Sequence, residues 1–282
     1  MQGDYTRLLR VKSLPPANNK GDLKMLILLC GNYKSGKTVS AATFPKPMIF
    51  LDYDEGFLSV QTTKTKTGNL IVPDWKDIEV VPFYKKDVYD LFLLTDTGKK
   101  TSPPHVKEAG NLVALHNSIF RSLQKDGCYN NKGPFKTLVI DSLTEMFRVW
   151  KEGVLLMNNQ GSLAPGDYGT LEELLFGQFI PSLKTLIATN KIEHVILIDH
   201  IMYEKDEFTG MLQELPVAPS RNMARVFGRA FNDVWLQRQE GSDYVWRIGL
   251  TGLFQAGSRS GLPEVIKPAT FQTLESILKS RV

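Results

Sequence analysis

Short, nearly continuous apolar runs recur along the chain, at 25–30, 48–51, 137–140 and 194–199. Such runs lack the alternation of a half-exposed strand, so they predict strands that are buried on both faces. Segments with the apolar spacing of helices lie between them. This alternation predicts an α/β fold, in which a parallel sheet is covered by helices on both faces.

The helical segments are read from apolar residues that repeat every three or four positions, at 111–124 and 170–190. The second is expected to be interrupted at Pro181. A short helix is predicted at 38–44, where Pro45 closes it. Parallel strands need crossover connections, and these helices are the predicted crossovers.

The C-terminal third has a different pattern. A polar segment with a central turn, EFTG, follows residue 200, and 233–257 reads as paired strands joined at EGSD. The tail at 268–282 predicts a short amphipathic helix, and IEVVPF at 78–83 favours one more strand. We therefore predict an N-terminal arm at 1–22 and one domain at 23–282, with a variable insertion at about 62–110.

The composition restricts the possible partners, metal sites and cellular location only slightly. The 282 residues carry a formal charge of +4, which permits a polyanionic partner without requiring one. The two cysteines, Cys30 and Cys128, are too few and too far apart for a zinc cluster or a disulfide framework, and Cys30 is expected to be a buried thiol. The apolar runs are too short to span a bilayer. A cytoplasmic protein is expected.

The segment GNYKSGKT at 31–38 follows the pattern G-x-x-x-x-G-K-[ST] between a predicted strand and a predicted helix. Gly31 and Gly36 allow the backbone to wrap around an anion, and the helix N-terminus faces it. Lys37 is expected to reach the outer phosphates, and Thr38 to offer a hydroxyl to Mg²⁺. We predict ATP binding by Gly31, Asn32, Tyr33, Lys34, Ser35, Gly36, Lys37, Thr38 and Val39.

Polar side chains also follow the other predicted strands. Ligands of parallel sheets bind at the carboxyl ends of the strands, so these side chains are expected to converge there. Asp141 is the predicted second magnesium residue, although DSLTE could equally be a helix cap through Ser142 and Glu145. His200 is a candidate sensor of the γ-phosphate.

An acidic turn follows the second strand and is a candidate for orienting the attacking water. Alternation places Asp52 and Asp54 on one face and Glu55 on the other. We favour Asp54 for this role, with Glu55 second. Solvated acids in a turn are the alternative interpretation.

Four motifs, GNYKSGKT, FLDYDEG, TLVIDS and VILIDH, occur in the order and spacing of the RecA-like ATPase core. The chain resembles especially the phage-encoded RecA-like nucleotide-binding proteins of recombination and single-strand annealing, from about residue 23 to about 268. The resemblance implies a mostly parallel central sheet with C-terminal antiparallel hairpin strands. The AAA+ group usually has an acidic residue after the magnesium aspartate, where this chain has Ser142.

The resemblance also implies roles for single residues. Lys37 and Thr38 match the phosphate lysine and the magnesium hydroxyl, and Asp141 matches the second magnesium aspartate. Asp54 stands in the place of a catalytic glutamate, which is a departure. His200 stands in the place of a glutamine that contacts the γ-phosphate, and the phage group resembles this chain in having histidine.

Nucleic-acid contacts are implied less strongly. Segment 201–219 takes the place of a DNA-binding loop, and it contains Lys205 within an acidic surrounding. Three arginines at four-residue spacing follow, and they would share one face of a predicted helix. This face, which we call the arginine stripe, either contacts the phosphates of a nucleic acid or is only solvated: Arg221, Arg225 and Arg229. Arg259 resembles an arginine finger that a neighbouring subunit supplies, with Lys267 a weaker candidate.

The resulting hypothesis is an ATPase that acts on single-stranded DNA in phage recombination or replication. It would assemble into a ring or filament and work with other recombination or replication proteins. A nucleotide-gated scaffold or regulator without nucleic acid is the main alternative, and a small-molecule kinase is a weaker one. The sequence leaves open DNA or RNA, ring or filament, and which acid orients the water.

Overall fold

The computed structural model describes residues 24–57, 75–83, 104–205, 210–249 and 253–281. The predicted arm at 1–22 and most of the predicted insertion lie outside these residues. Of the insertion, the structure describes the strand at 78–82 and the beginning of the following helix. None of the helices described is both long enough and apolar enough to cross a membrane.

Eleven strands are described. The main sheet contains β1 (Met25–Gly31), β2 (Met48–Asp52), β3 (Ile78–Pro82), β4 (Thr137–Asp141), β5 (His194–Asp199), β8 (Asp233–Glu240), β9 (Asp243–Arg247), β10 (Gly257–Ser258) and β11 (Val265–Ile266). A separate hairpin is formed by β6 (Ile201–Lys205) and β7 (Leu212–Pro216). Each predicted buried strand is present, and its bounds differ from the prediction by about one residue.

The helices lie between these strands. They are α1 (Lys37–Ala41), α2 (Pro104–Asp126), α3 (Leu143–Asn158), α4 (Pro165–Glu172), α5 (Ile180–Ala188), α6 (Arg221–Phe227) and α7 (Phe271–Lys279). The helix predicted at 170–190 continues through Pro181, and the irregularity lies before it, in a π-helical segment, Glu173–Phe179, that joins α4 to α5. Pro181 is the second residue of α5, which directly follows the π-helical segment.

The main sheet has the order β11-β9-β8-β1-β5-β4-β2-β3, and β10 pairs with β8. The six strands from β8 to β3 in this order run parallel to their neighbours, and β9, β10 and β11 pair antiparallel. The predicted fold class, a mostly parallel sheet with late antiparallel strands, is confirmed.

Two apolar layers cover the sheet, one on each face. Along β1, Leu26, Leu28 and Cys30 pack into the layer that holds α2 to α6. Their neighbours Met25, Ile27 and Leu29 pack into the opposite layer, which includes residues of α1 and α7. Both sets are buried because the strand has period 2 and both faces are covered. This rigid layered core fixes the carboxyl ends of the strands.

Candidate nucleotide and metal site

Strand register brings the predicted polar residues to one edge. Cys30 is level with Asp199 on β5, Ile198 with Asp141 on β4, and Asp141 with Asp52 on β2. The strands therefore end together, and the residues after them share the same edge of the sheet. The convergence predicted from the sequence is present.

The loop at 31–38 needs both of its glycines. Gly36 has a φ of 83°, a left-handed conformation that favours glycine, immediately before α1. A Cβ at Gly31 would lie 2.7 Å from the carbonyl oxygen of Gln237 and 2.8 Å from Ser35 Oγ. The first glycine is thus required by the close neighbouring strand β8, and the second by the turn into the helix.

The Lys37 side chain lies within the loop. It is buried, and its Nζ donates hydrogen bonds to the carbonyl oxygens of Gly31 (2.9 Å) and Asn32 (2.8 Å). Burial lowers the pKa of this ammonium group, while the negative charge of Asp141 acts in the opposite direction. A buried cation held by loop carbonyls at this position is arranged to receive an anion.

Three side-chain oxygens meet beside Gly56. Thr38 Oγ1 donates to Asp141 Oδ2 at 2.5 Å. A Cβ at Gly56 would lie 2.9 Å from Asp141 Oδ2, 2.9 Å from Asp54 Oδ1 and 3.3 Å from Thr38 Oγ1. The missing side chain leaves a cradle lined by hard oxygen donors, which are the ligands that Mg²⁺ prefers. We call this arrangement the Gly56 cradle, and its residues fit a magnesium ion.

The carboxylates around the cradle differ electrostatically. Burial raises the pKa of Asp141 to about 7, and the nearby charge of Asp54 adds to this effect. Burial also acts to raise the pKa of Asp54, but interactions with His200 and Ser142 outweigh it and leave the net pKa below its ordinary value. Asp54 is therefore the more acidic of the two, and a cation in the cradle would favour the charged form of Asp141.

The acidic turn divides its residues among different tasks. Asp52 accepts hydrogen bonds from the backbone N–H groups of Gly56 (3.0 Å) and Phe57 (3.3 Å), and burial raises its pKa to about 6. It thus holds the turn in shape. Glu55 is exposed, with a left-handed φ of 62°. Asp54 alone of these three acids lines the cradle and faces His200.

His200 connects the cradle to the phosphate loop. Its Nε2 lies 3.8 Å from Asp54 Oδ2, and its ring stacks on that of Tyr33 with centroids 4.0 Å apart. Its Nδ1 is buried and has no hydrogen-bond partner among the residues that the structure describes. The loop, the acidic turn and the end of β5 are therefore in contact through one imidazole ring.

Sequence reasoning missed two supporting residues. Gln237 on β8 is buried, and its Oε1 accepts hydrogen bonds from Ser40 Oγ (2.6 Å) and Trp246 Nε1 (2.9 Å), which ties α1 to the sheet. Asp199 is fully buried and accepts hydrogen bonds from Thr144 Oγ1 and from the His200 backbone N–H. For Asp199, a polar residue at the end of a mostly apolar strand was the available signal, whereas β8 is polar from Gln237 onward and gave no such signal.

The predicted nucleic-acid residues lie elsewhere and are not equivalent. Arg225 forms an ion pair with Glu204, and Lys267 forms one with Asp243. Arg221, Arg229 and Lys205 are exposed, and no ion pair to them is found within the described residues. The predicted arginine stripe is thus interrupted at Arg225, and Arg229 lies in the 3₁₀ turn after α6 rather than on the helix itself.

Arg259 lies at the opposite end of the sheet from the phosphate loop. Its backbone N–H donates to the carbonyl of Asn232, just before β8. Asp233 is level with Ile27, whereas Gln237 is level with Gly31, and four residues of strand span about 13 Å. Arg259 therefore lies well away from the loop of its own chain.

Residues 23–225 match the family model described as AAA domain. The chain belongs to this family. The match and the mostly parallel sheet support the RecA-like P-loop ATPase predicted from the motifs, and the Ser142 departure noted above does not prevent the match. Among curated proteins, no match to the sequence was found.

Two solved structures resemble the chain at a distance. One is the RadB recombinase, with 17% identity, a TM-score of 0.40, and coverage of 80% of this chain and 81% of that one. The other is the flagellar accessory protein FlaH from Methanocaldococcus jannaschii, with 12% identity, a TM-score of 0.40, and coverage of 87% and 85%.

Proposed function

We propose that this ATPase hydrolyses Mg²⁺-ATP and acts on single-stranded DNA in phage recombination or replication. The Gly56 cradle beside the phosphate loop is the observation that supports nucleotide hydrolysis most strongly. It brings a hydroxyl and two carboxylates from three separate segments to one point. Asp54 Oδ1 also accepts a hydrogen bond from the Gly56 N–H (3.1 Å), which keeps this carboxylate at the cradle.

The residues divide the chemistry among them. Lys37 binds the outer phosphates, and the N–H groups of the loop and of α1 enclose them. Thr38 and Asp141 would hold Mg²⁺, which supplies charge stabilisation for the phosphoryl group. Asp54 orients the attacking water, and its lowered pKa keeps it ionised to do so. His200 lies at the same edge of the sheet, after β5, and senses the γ-phosphate from there.

The hairpin that follows His200 supports a nucleic-acid role better than its acidic sequence suggests. Glu214 and Glu204 are buried, paired respectively with Arg238 on β8 and with Arg225 on α6. Tyr203 and Lys205 remain exposed. A surface with an aromatic ring and a cation can stack bases and contact phosphates.

The position of Arg259 supports self-association. An arginine at the far end of the sheet can complete a nucleotide site only in a neighbouring subunit. We propose a ring or filament in which ATP lies at the boundary between subunits. Other recombination or replication proteins are the expected partners of such an assembly.

ATP turnover with and without single-stranded DNA tests the proposal. We expect DNA to stimulate the wild-type rate, and Lys37→Ala to abolish turnover under both conditions. A wild-type rate that ignores DNA would favour the nucleotide-gated scaffold instead. Normal turnover by Lys37→Ala would overturn the assignment of the site itself.

A further inference from the structure

A cavity of about 430 Å³ lies beside β8, between β7, α6 and the segment around β10. It is lined by residues of all four elements and opens at the end of the sheet that carries Arg259. We call it the β8 cavity. Its volume falls within the range of small-ligand sites. It is separate from the phosphate loop and the Gly56 cradle, and neither contributes a residue to its lining.

The floor of the β8 cavity is apolar and partly aromatic. Phe231, Phe254, Val234 and Ala256 line it, and each is at most 8% exposed. These side chains belong to the main apolar layer of the fold, so the floor is rigid. A flat apolar group could pack on such a floor.

Polar groups surround this floor. Asn232 and Gln255 line the cavity, and each carries an amide that can both donate and accept hydrogen bonds. A heterocycle with polar edges would satisfy them while its faces remain in apolar contact.

The charged residues of the lining leave an excess of positive charge. Glu214 is paired with Arg238, and Arg225 with Glu204. Arg229 and Arg259 also line the cavity and are exposed, and neither has an ion pair within the described chain. Two guanidinium groups without carboxylate partners are suited to a phosphate.

The surroundings of Arg259 reinforce this positive character. Lys184 on α5 lies close enough for the Arg259 charge to lower its pKa, in addition to the larger effect of burial. One acid also faces this region: Asp233 accepts hydrogen bonds from Ser258 (2.5 Å) and Ser260 (3.0 Å), and burial raises its pKa while the Arg259 charge acts in the opposite direction. Arg259 is exposed and forms no ion pair with Asp233 in the described chain, so its guanidinium group remains accessible.

We propose that the β8 cavity binds one nucleotide, with its base on the apolar floor and its 5′-phosphate at Arg229, while Arg259 adds positive charge at the rim and stays available to a neighbouring subunit. This site does not depend on ATP hydrolysis, so it goes beyond the function proposed above. A free mononucleotide and the 5′-phosphorylated end of a single strand present the same chemistry to the cavity, and the test separates them.

Gly257 offers a way to fill the cavity without disturbing the core. It lines the cavity, and a Cβ placed there meets no atom within 4 Å. Gly169 on α4 is equally open and lies outside the lining, so Gly169→Tyr is the matched control for Gly257→Tyr. Arg121, an exposed arginine on α2, provides the charge control for Arg229.

Equilibrium dialysis of the full chain with labelled dAMP provides the measurement. We expect saturable binding that Gly257→Tyr abolishes and Arg229→Ala weakens about tenfold or more. Gly169→Tyr and Arg121→Gln should bind dAMP as the wild type does. Gly257→Tyr keeps its phosphate loop intact, so a loss of dAMP binding in this variant and a failure of the ATPase proposal can be told apart.

A second titration compares short oligonucleotides that carry a 5′-phosphate or a 5′-hydroxyl. If Gly257→Tyr weakens only the phosphorylated strand, the natural ligand is a strand end. If neither strand depends on the cavity but dAMP does, the ligand is a free nucleotide. The proposal is overturned if dAMP does not bind at millimolar concentration, or if Gly257→Tyr binds it normally.

Discussion

Gly56 leaves room for three oxygen atoms from distant parts of the sequence. We expect Gly56→Ala to fold but to lose the cradle, because the new methyl group would lie 2.9 Å from each of two carboxylate oxygens. The affinity for Mg²⁺ in the presence of ATP should fall roughly ten- to a hundredfold, which is typical when a residue that supports the metal ligands is changed.

Gly161→Ala is the control for this variant, because a Cβ at Gly161 meets no atom within 4 Å. A magnesium titration of ATP turnover separates the two alanine variants. Equal magnesium dependence in both would mean that the cradle does not hold the metal.

Asp199 predicts a dependence of stability on pH. Burial raises its pKa to about 8, although hydrogen bonds from Thr144 and His200 act against this. Between pH 4 and pH 8 the folded chain keeps a proton that the unfolded chain loses, so this residue makes stability fall as pH rises. Asp199→Asn removes the effect. The melting temperature of this variant, relative to that of the wild type, should therefore increase as the pH is raised from 5 to 8. A constant difference across this range would contradict a raised pKa.

The sequence predicted the residues of the phosphate loop but not the residues that support them. Gly31, Gly36 and Lys37 belong to a pattern whose spacing reflects the ligand itself. Gly56 and Gln237 act through contacts with segments about 80 to 200 positions away. No local pattern records such contacts, so only the fold reveals them.

The hairpin of β6 and β7 is acidic in composition, but its surface is less acidic than its composition suggests. Its acids Glu204 and Glu214 are nearly buried, and each has an arginine partner on a neighbouring element. We expect Arg225→Ala to destabilise the fold by about 1–3 kcal/mol, because it leaves the Glu204 carboxylate buried without its partner. Arg221→Ala, an exposed arginine on the same helix, should change stability little.

Urea unfolding of both arginine variants provides the measurement. Equal stability of the two would show that the Glu204 ion pair contributes nothing. The same experiment bears on DNA binding, because an arginine held by a carboxylate is not available to a phosphate.

The elements themselves were largely predictable. Buried strands were recognised because a doubly covered sheet requires unbroken apolar runs, and β1, β2, β4 and β5 satisfy this requirement. The π-helical segment before Pro181 was not predicted, because a proline indicates a break without indicating how the preceding turn adjusts.

The assembly as a whole is tested by mixing variants. Arg259 cannot reach the loop of its own chain, so Arg259→Ala and Lys37→Ala should each abolish or strongly reduce turnover alone. In a mixture, some boundaries pair an intact loop with an intact arginine. We expect the mixed sample to exceed the sum of the separate rates. Additive rates would mean that Arg259 serves no neighbouring subunit.

The contact between Tyr33 and His200 offers a site for a fluorescence probe of the phosphate loop. Tyr33 is 76% exposed, so replacing it with tryptophan should disturb little of the core, while the indole still rests on the imidazole. Any shift of the histidine would alter the emission of that indole. Nucleotide arrival and departure could then be followed in real time, without a dye on the ligand or on any partner.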